Sequence, residues 1–599
     1  MFKKIFYILF LLSGFLYTYF VIQPVLHYHL QQSPFYYSTH FFMNYASKVG
    51  GIGMYLSNYL MQLFHSNLYG SFVIVLSVII ITILFIAIFK KIEVNSNLVF
   101  LYLPVALCVS LFHDYYFPLV VLLQTVFIFL AVFIYIQFIR ANKYLYLIGL
   151  LIYALLYYTF GSGGALIFGI TSIIINYFHS TTKGLLLKSL GFIFALAALP
   201  FIAYKFIFNL SLYQAYFQFL PELPVTLTYQ KSILLYLLVF LMPLILLLAI
   251  LISKIPLPEK LTNFKQSKAL QLIYHFTLIV LFLGIIYSTS DKHSKNIAQV
   301  DYYTYHQNWD KAIALSLADK EYDFLTNLNY NRAIDNSGNF LNLFFDYPQL
   351  LGVKSIYPDN LGTAFYGIQA SDYYFDIGYI SRSQHLAYGV LVLEPYNPRV
   401  IKQLVKTNLV LENYKAAKTY LDLLSLNPLC KDFVKKYDPY IQDTTKVSED
   451  QLLSKKRMLS PDNFAIPLQI TDRINDLILK DSSNRQAYEH LQMCFLLEHQ
   501  LEGFMNNFDA SMKFYPKIPT VYEQALLIYI YSTRSRIDLA RSISIESKEK
   551  FTTFLQILKD KNNNLQAAQA DLTEFENTYI YYMKYLSPKV TNLEVITKK

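Results

Sequence analysis

Nine apolar runs, each close to the length that a helix needs to cross a hydrocarbon core, fill the first 290 residues and limit what this chain can fold into. They lie at roughly 5–23, 69–89, 98–113, 117–139, 144–159, 162–179, 186–208, 232–253 and 271–289. A bilayer core of about 30 Å takes about 20 helical residues. A helix satisfies its own backbone N–H and C=O groups there, so these runs predict transmembrane helices. The expected fold is all-α: a polytopic transmembrane helix bundle over 1–289, then a soluble helical domain over 290–599. The first run starts at Lys3 and Lys4 but is followed by bulky residues at 23–28 and no small-residue cleavage site, so it reads as an uncleaved anchor.

Charge divides the chain the same way. Residues 1–290 carry 15 Lys and Arg against four acids, Glu93, Asp114, Glu222 and Glu259, whereas residues 291–599 carry 35 basic and 36 acidic residues. The basic excess sits in short clusters between apolar runs, which fits membrane topology and not a nucleic-acid surface. With the N-terminus in the cytoplasm, the inner connections hold twelve basic residues and the outer ones only Lys48, Lys205 and Lys231. Nine spans then place residue 290 onward outside the cytoplasm, in the periplasm of a bacterial inner membrane. The three cysteines, Cys108, Cys430 and Cys494, are expected as buried free thiols, although Cys430 and Cys494 would share one compartment and have the option of pairing.

Four outer segments are expected to converge on one side. The first, 24–68, is aromatic-rich and should form amphipathic helices near 36–46 and 54–64, broken by Gly50, Gly51 and Gly53. Its His27, His29, His40 and His65 read as interface histidines, with a metal site as the sharper alternative. The second, 112–118, holds His113 and Asp114 among aromatics. The third, 159–164, is glycine-rich, and the fourth, 209–230, holds Glu222 between Pro221 and Pro224. Asp114 is the only acid at the outer face of the first five spans. It suits either catalysis or an N-terminal cap for the span that follows.

The second half shows helix pairs: 308–319, 397–428 and 482–516, with breaks near Glu412 and Asn413 and ends at Pro428 and Pro516. Residues 350–390 depart from this pattern and predict a loop with irregular helices. The segments NWDKAIALSLAD and ENYKAAKTYLDLLSLNP resemble the second helix of tetratricopeptide repeats, which implies an α-helical solenoid with a partner-binding surface.

The anchor, the long first outer loop, KVGGIGMYLSNYLMQLF and the soluble tail together resemble the layout of GT-C type glycosyltransferases (YfhO-like and GtrII-like). That resemblance implies a polyprenyl-linked sugar substrate used on the outer side, with His113, Asp114 and Glu222 as the catalytic candidates and a divalent metal ion as a candidate cofactor. The loop 24–68 lacks the acid that those enzymes place there. FYYSTHFF, GGIGMYLSNYLMQLF and FHDYYFP also resemble a multispan Bacteroidota family with repeat tails.

The functions compatible with the sequence are a membrane scaffold whose repeat domain binds envelope proteins, a GT-C-like enzyme, and a transporter. The scarcity of ionisable residues within the runs argues against the last. Reporter fusions placed after Lys188 and after Asp291 should report opposite sides of the membrane; matching signals would reject the topology.

Overall fold

The computed structural model describes residues 2–92, 99–138, 145–179, 185–217, 233–254, 268–358, 364–461, 466–467, 469–534 and 542–586. Among them the chain is helical, with no strand. It forms two compact units, residues 1–295 with 426–429, and residues 296–425 with 430–599.

In the first unit each apolar run is helical where described. The helices are α1 (Phe2–Tyr17, continued by a wider turn at Thr18–Ile22), α2 (Pro24–Gln31), α3 (Thr39–Ala46), α4 (Gly51–Met61), α5 (Asn67–Lys91), α6 (Val99–Leu111), α7 (Leu119–Gln137), α8 (Leu145–His179), α9 (Leu185–Ile202), α10 (Leu212–Phe217), α11 (Ile233–Val239), α12 (Leu241–Lys254) and α13 (Lys268–Ser288). Among the described residues, α5, α7 and α8 are long and apolar enough to cross a membrane, and α1 with α2 qualifies as one pair bent by 49°. Four of their hydroxyls bond back one turn: Ser77 to the Val73 carbonyl, Thr82 to Val78, Thr125 to Val121 and Thr171 to Ile167.

The helix α8 is a hairpin of two arms. Gly161 has φ 87° and ψ −178°, a conformation that glycine alone adopts readily. Tyr135 of α7 touches both arms: a Cβ on Gly149 would lie 2.9 Å from its ring, and its hydroxyl bonds the Asn176 amide at 2.8–3.0 Å. Along one straight helix those two residues would be about 40 Å apart at 1.5 Å per residue. A Cβ on Gly169 would likewise lie 3.6 Å from the Tyr153 ring. The arms are therefore antiparallel, and the glycine-rich stretch 159–164 is the turn between them.

The main helices of the second unit are α14 (Lys292–Tyr305, within which the unit boundary falls), α15 (Trp309–Ala318), α16 (Phe324–Asn336), α17 (Ala364–Asp376), α18 (Ile380–Leu393), α19 (Pro398–Val410), α20 (Tyr414–Ser425), α21 (Gln451–Leu459), α22 (Arg485–Leu497), α23 (Thr520–Thr533) and α24 (Ile545–Asp560). Helix after helix ends in the same way. Gln307, Gly338, Gly378, Glu412, His499 and Asn562 all have positive φ. The next residue's N–H then returns to the carbonyl five residues back: Asn308 to Tyr303, Asn339 to Ile334, Tyr379 to Tyr374, Asn413 to Asn408, Gln500 to Phe495 and Asn563 to Leu558, at 2.8–2.9 Å. This is the Schellman closure, which satisfies orphan carbonyls and reverses the chain. The first four closures are 31, 40 and 34 residues apart.

The helices that precede the closures at 338, 378 and 412, α16, α17 and α19, lie side by side and parallel. Asn329 bonds Gln369, Arg332 reaches Asp372 and Asp376, and Asp372 bonds Arg399. The expectation of irregular structure over 350–390 holds for 350–358 and is corrected from 364 onward. Residues 364–393 form a close helical hairpin, α17 and α18, turned at Gly378. Small residues make it: Ser371 and Ser383 exchange hydroxyl-to-carbonyl bonds at 2.7 Å, and a Cβ on Gly367 would lie 2.7 Å from Val390. Ahead of it, the buried Gln349 amide ties down an irregular segment through Asn327, Asn331, Ser355 and the Phe344 carbonyl. Cys430 and Cys494 are both buried free thiols.

Two glycines separate the causes of strain. Gly338 (φ 76°) faces open space, while a Cβ on Gly378 (φ 91°) would lie 2.7 Å from that of Leu459. Gly338→Ala should cost about 1 kcal/mol. Gly378→Ala should cost about 1–3 kcal/mol more by overpacking. Denaturant unfolding of the second unit's signal reads both, and equal losses would contradict the steric argument.

Candidate functional site

The turn 112–118, which holds the sequence-predicted His113 and Asp114, is closed by aromatic packing and clamped by α2. The His27 ring is fully buried. It donates from Nε2 to the Phe112 carbonyl at 3.0 Å and lies against the rings of Phe64, Phe112 and Tyr115. The Gln31 amide donates to the carbonyls of Tyr115 and Phe117 at 2.9 and 3.1 Å, and the Tyr115 hydroxyl donates to the Ile22 carbonyl. His113 is buried with both ring nitrogens engaged: Nε2 lies 3.1 Å from the Tyr17 hydroxyl and Nδ1 3.0 Å from that of Thr289. It thereby joins α1, the turn and the residue just after α13.

Asp114 is half-buried. Its Oδ1 accepts the Tyr116 N–H at 2.9 Å, an Asx turn within the loop. The expectation that it caps the following span is corrected: the residue preceding α7 is Pro118, and no side chain caps that helix. The third candidate, Glu222, lies outside the described residues.

The glycine-rich segments of the first and third predicted outer loops meet. The Gly50 N–H donates to the Tyr158 carbonyl at 2.9 Å, and a Cβ on Gly53 would lie 2.7 Å from the Phe160 ring. The glycines thus serve backbone approach at the α8 turn. The predicted helices of the first loop appear as α3, which starts three residues later than read from the pattern, and α4, which is shifted to start at Gly51; the expected break is confined to the residues before it, and Gly51 and Gly53 lie within α4.

A divalent ion fits this region poorly. Among the described residues no group of three or more His, Cys, Asp or Glu side chains is placed to hold a metal. Asp114 spends an oxygen on its own loop, His113 is bonded on both sides, and the His65 ring bonds the Gln62 carbonyl.

The densest charged cluster lies in the second unit. Arg399 is buried between two carboxylates, bonding Asp372 through Nε and Nη2 at 3.2 and 2.7 Å and Asp301 through Nη1 and Nη2 at 3.0 and 3.1 Å. Arg332 bonds Asp376 at 2.5 Å and stands 3.6 Å from Asp372, and Lys456 donates to the Asp376 carbonyl. Burial pushes the Asp372 carboxyl up, but Arg399 and Arg332 outweigh it and hold the group below its ordinary range. Burial lowers Lys456 to about 8. Nearby, Asp335 accepts from His490 at 3.1 Å, and His490 bonds the Tyr357 hydroxyl at 2.7 Å. Sequence reasoning missed this cluster. Its only local trace is charge recurring at helical spacing, Asp372 with Asp376 and Arg332 with Asp335, on otherwise core-forming helices.

These features define a class: an all-helical chain that couples a unit of long apolar helices to a unit of helix pairs with a buried charge ladder. The chain belongs to the family of unknown function DUF6057, whose model matches residues 1–586. No curated protein and no solved structure matches it.

Asp114→Asn keeps an acceptor for the Tyr116 N–H and should leave thermal stability within about 0.5 kcal/mol of the parent, while Asp114→Ala should cost about 1 kcal/mol. His113→Ala strips a partner from two hydroxyls in the interior and should cost about 1–3 kcal/mol. Melting of the detergent-solubilised chain checks the order, and a large loss for Asp114→Asn would reveal a need for charge that the Asx turn does not explain.

Proposed function

We propose that this is a multi-span protein of a bacterial inner membrane whose C-terminal half is a periplasmic helical-repeat domain that binds a protein of the cell envelope. The observation that carries the reading is the recurring Schellman closure at 307, 338, 378 and 412, with the helices before the last three parallel. Repetition of one closed helix pair is how a solenoid builds an extended protein-binding surface. The tetratricopeptide-like character of the tail is part of this proposal. Embedding in the membrane is supported by the helical state of the nine apolar runs where they are described, by the antiparallel arms of α8, and by the distribution of basic residues.

The glycosyltransferase reading has less support. Its acid, Asp114, is held by a backbone N–H within its own turn, and its histidine is locked between two hydroxyls. A general base or donor ligand needs a lone pair directed at substrate. An aromatic-packed turn suits a scaffold.

The second unit exposes single large apolar side chains, among them Val392, 80% exposed on α18, and Leu479, 83% exposed. Photo-crosslinking residues placed there in intact cells should each yield a discrete adduct with an envelope protein. Diffuse labelling of abundant proteins, with no enriched species, would reject the partner-binding reading.

A further inference from the structure

The helix α14 departs from the neighbour-only contacts of a repeat stack. It precedes the first closure, yet it reaches as far as α19. Ile297 packs against the cluster of Phe324 and Leu325 on α16, where Tyr366 of α17 also packs. Asp301 accepts two hydrogen bonds from Arg399 of α19, and the Tyr305 ring lies 4.6 Å from the same guanidinium. The segment 296–305 therefore lies across the face made by α16, α17 and α19 in the way a bound peptide would.

The chemistry beneath it is that of a receptor. Asp372 holds one edge of the Arg399 guanidinium, and this fixes the Nη1 and Nη2 edge for a second carboxylate. A planar fork offered in this way matches a carboxylate in both distance and direction. Apart from Asp301, the cluster sets Arg332, Arg399 and Lys456 against Asp372 and Asp376, so the face is electropositive without its occupant.

The three helices also keep polar atoms unpaired. Asn329 Oδ1 on α16, Gln369 Nε2 on α17 and Gln403 Oε1 on α19 are buried with no hydrogen-bond partner. Each is on a helix of the charge ladder, three or four residues from Arg332, Asp372 or Arg399. A settled core pairs such atoms. The helix above brings the buried apolar residues Ala298 and Val300.

We propose that Arg399 is the centre of a carboxylate-binding site, that Asp301 fills it in cis, and that its ligand in trans is an acidic helical segment of a partner protein, presenting Asp or Glu where Asp301 now sits. This rests on the partner-binding reading above and names the chemistry of the partner.

The test uses the full-length chain in nanodiscs and a fluorescent peptide of residues 296–307 as the probe. The Asp301→Asn chain should bind the peptide at least tenfold more tightly than the parent chain does. A peptide with the same Asp301→Asn change, or a chain that also carries Arg399→Met, should lose at least tenfold. A folded Asp301→Asn chain that does not bind, or binding indifferent to Arg399, overturns the proposal. If Asp301→Asn fails to fold, hydrogen exchange on the parent chain decides. Amides 297–305 exchanging at least tenfold faster than those of α17 and α19 support a displaceable segment, and exchange in step with them overturns it. An envelope adduct from Val392 or Leu479 without peptide binding would keep the partner and reject this site. Peptide binding without an adduct would keep the site and reject the partner.

Discussion

Every helix end leaves backbone carbonyls without partners, and in the second unit one local geometry resolves this again and again. A residue in the left-handed region turns the chain, and the following N–H bonds the carbonyl five residues back. The closure is the same after Asn336, Asp376 and Val410, and the helices before it come out parallel. Their faces can then be read across at matched levels: Asn329 with Gln369, Arg332 with Asp372, Asp372 with Arg399. Without the repeated turn there would be no register, and these polar side chains would be buried without partners.

The register makes the charge ladder affordable. Moving a guanidinium or carboxylate out of water costs several kcal/mol per ion, offset only where geometry is good and the remaining valences are bonded. Arg399 meets that condition with four hydrogen bonds to two carboxylates. The first unit solves its polar problem differently. It buries few charges, returns hydroxyls to carbonyls one turn back, and pairs an amide with a tyrosine, as in Asn176 and Tyr135. Both units pair most of these buried polar atoms, and each keeps exceptions, such as Gln124 in the first and Gln403 in the second.

The sequence by itself determined where the helices are. Apolar runs of near-constant length, Gly50, the glycine stretch 159–164, and the breaks at Glu412 and after Asn427 are signals carried within a few turns of chain, and the helices and turns fall there, although Gly51 and Gly53 join α4. The two closures at Gly338 and Gly378 use the residue that tolerates positive φ best; those at Gln307, Glu412 and His499 use residues that give no such signal, so the repeat was only partly legible. The hairpin at 364–393 was misread because its close packing rests on Gly367, Ser371 and Ser383, small residues that look like loop composition until a partner helix is set against them.

Tertiary structure alone decided what the candidate residues do. Asp114 stood out by isolation, a property of composition, but whether a lone carboxylate faces substrate, a helix end or its own loop depends on the path of four residues, and here it bonds Tyr116. His113 is set by Tyr17 and Thr289, 96 residues before it and 176 after it. Asp301 finds Arg399 across 98 residues. Helical periodicity fixes which residues share a face because that follows from 3.6 residues per turn. Which faces meet follows from burial of the whole chain, and no local pattern encodes it.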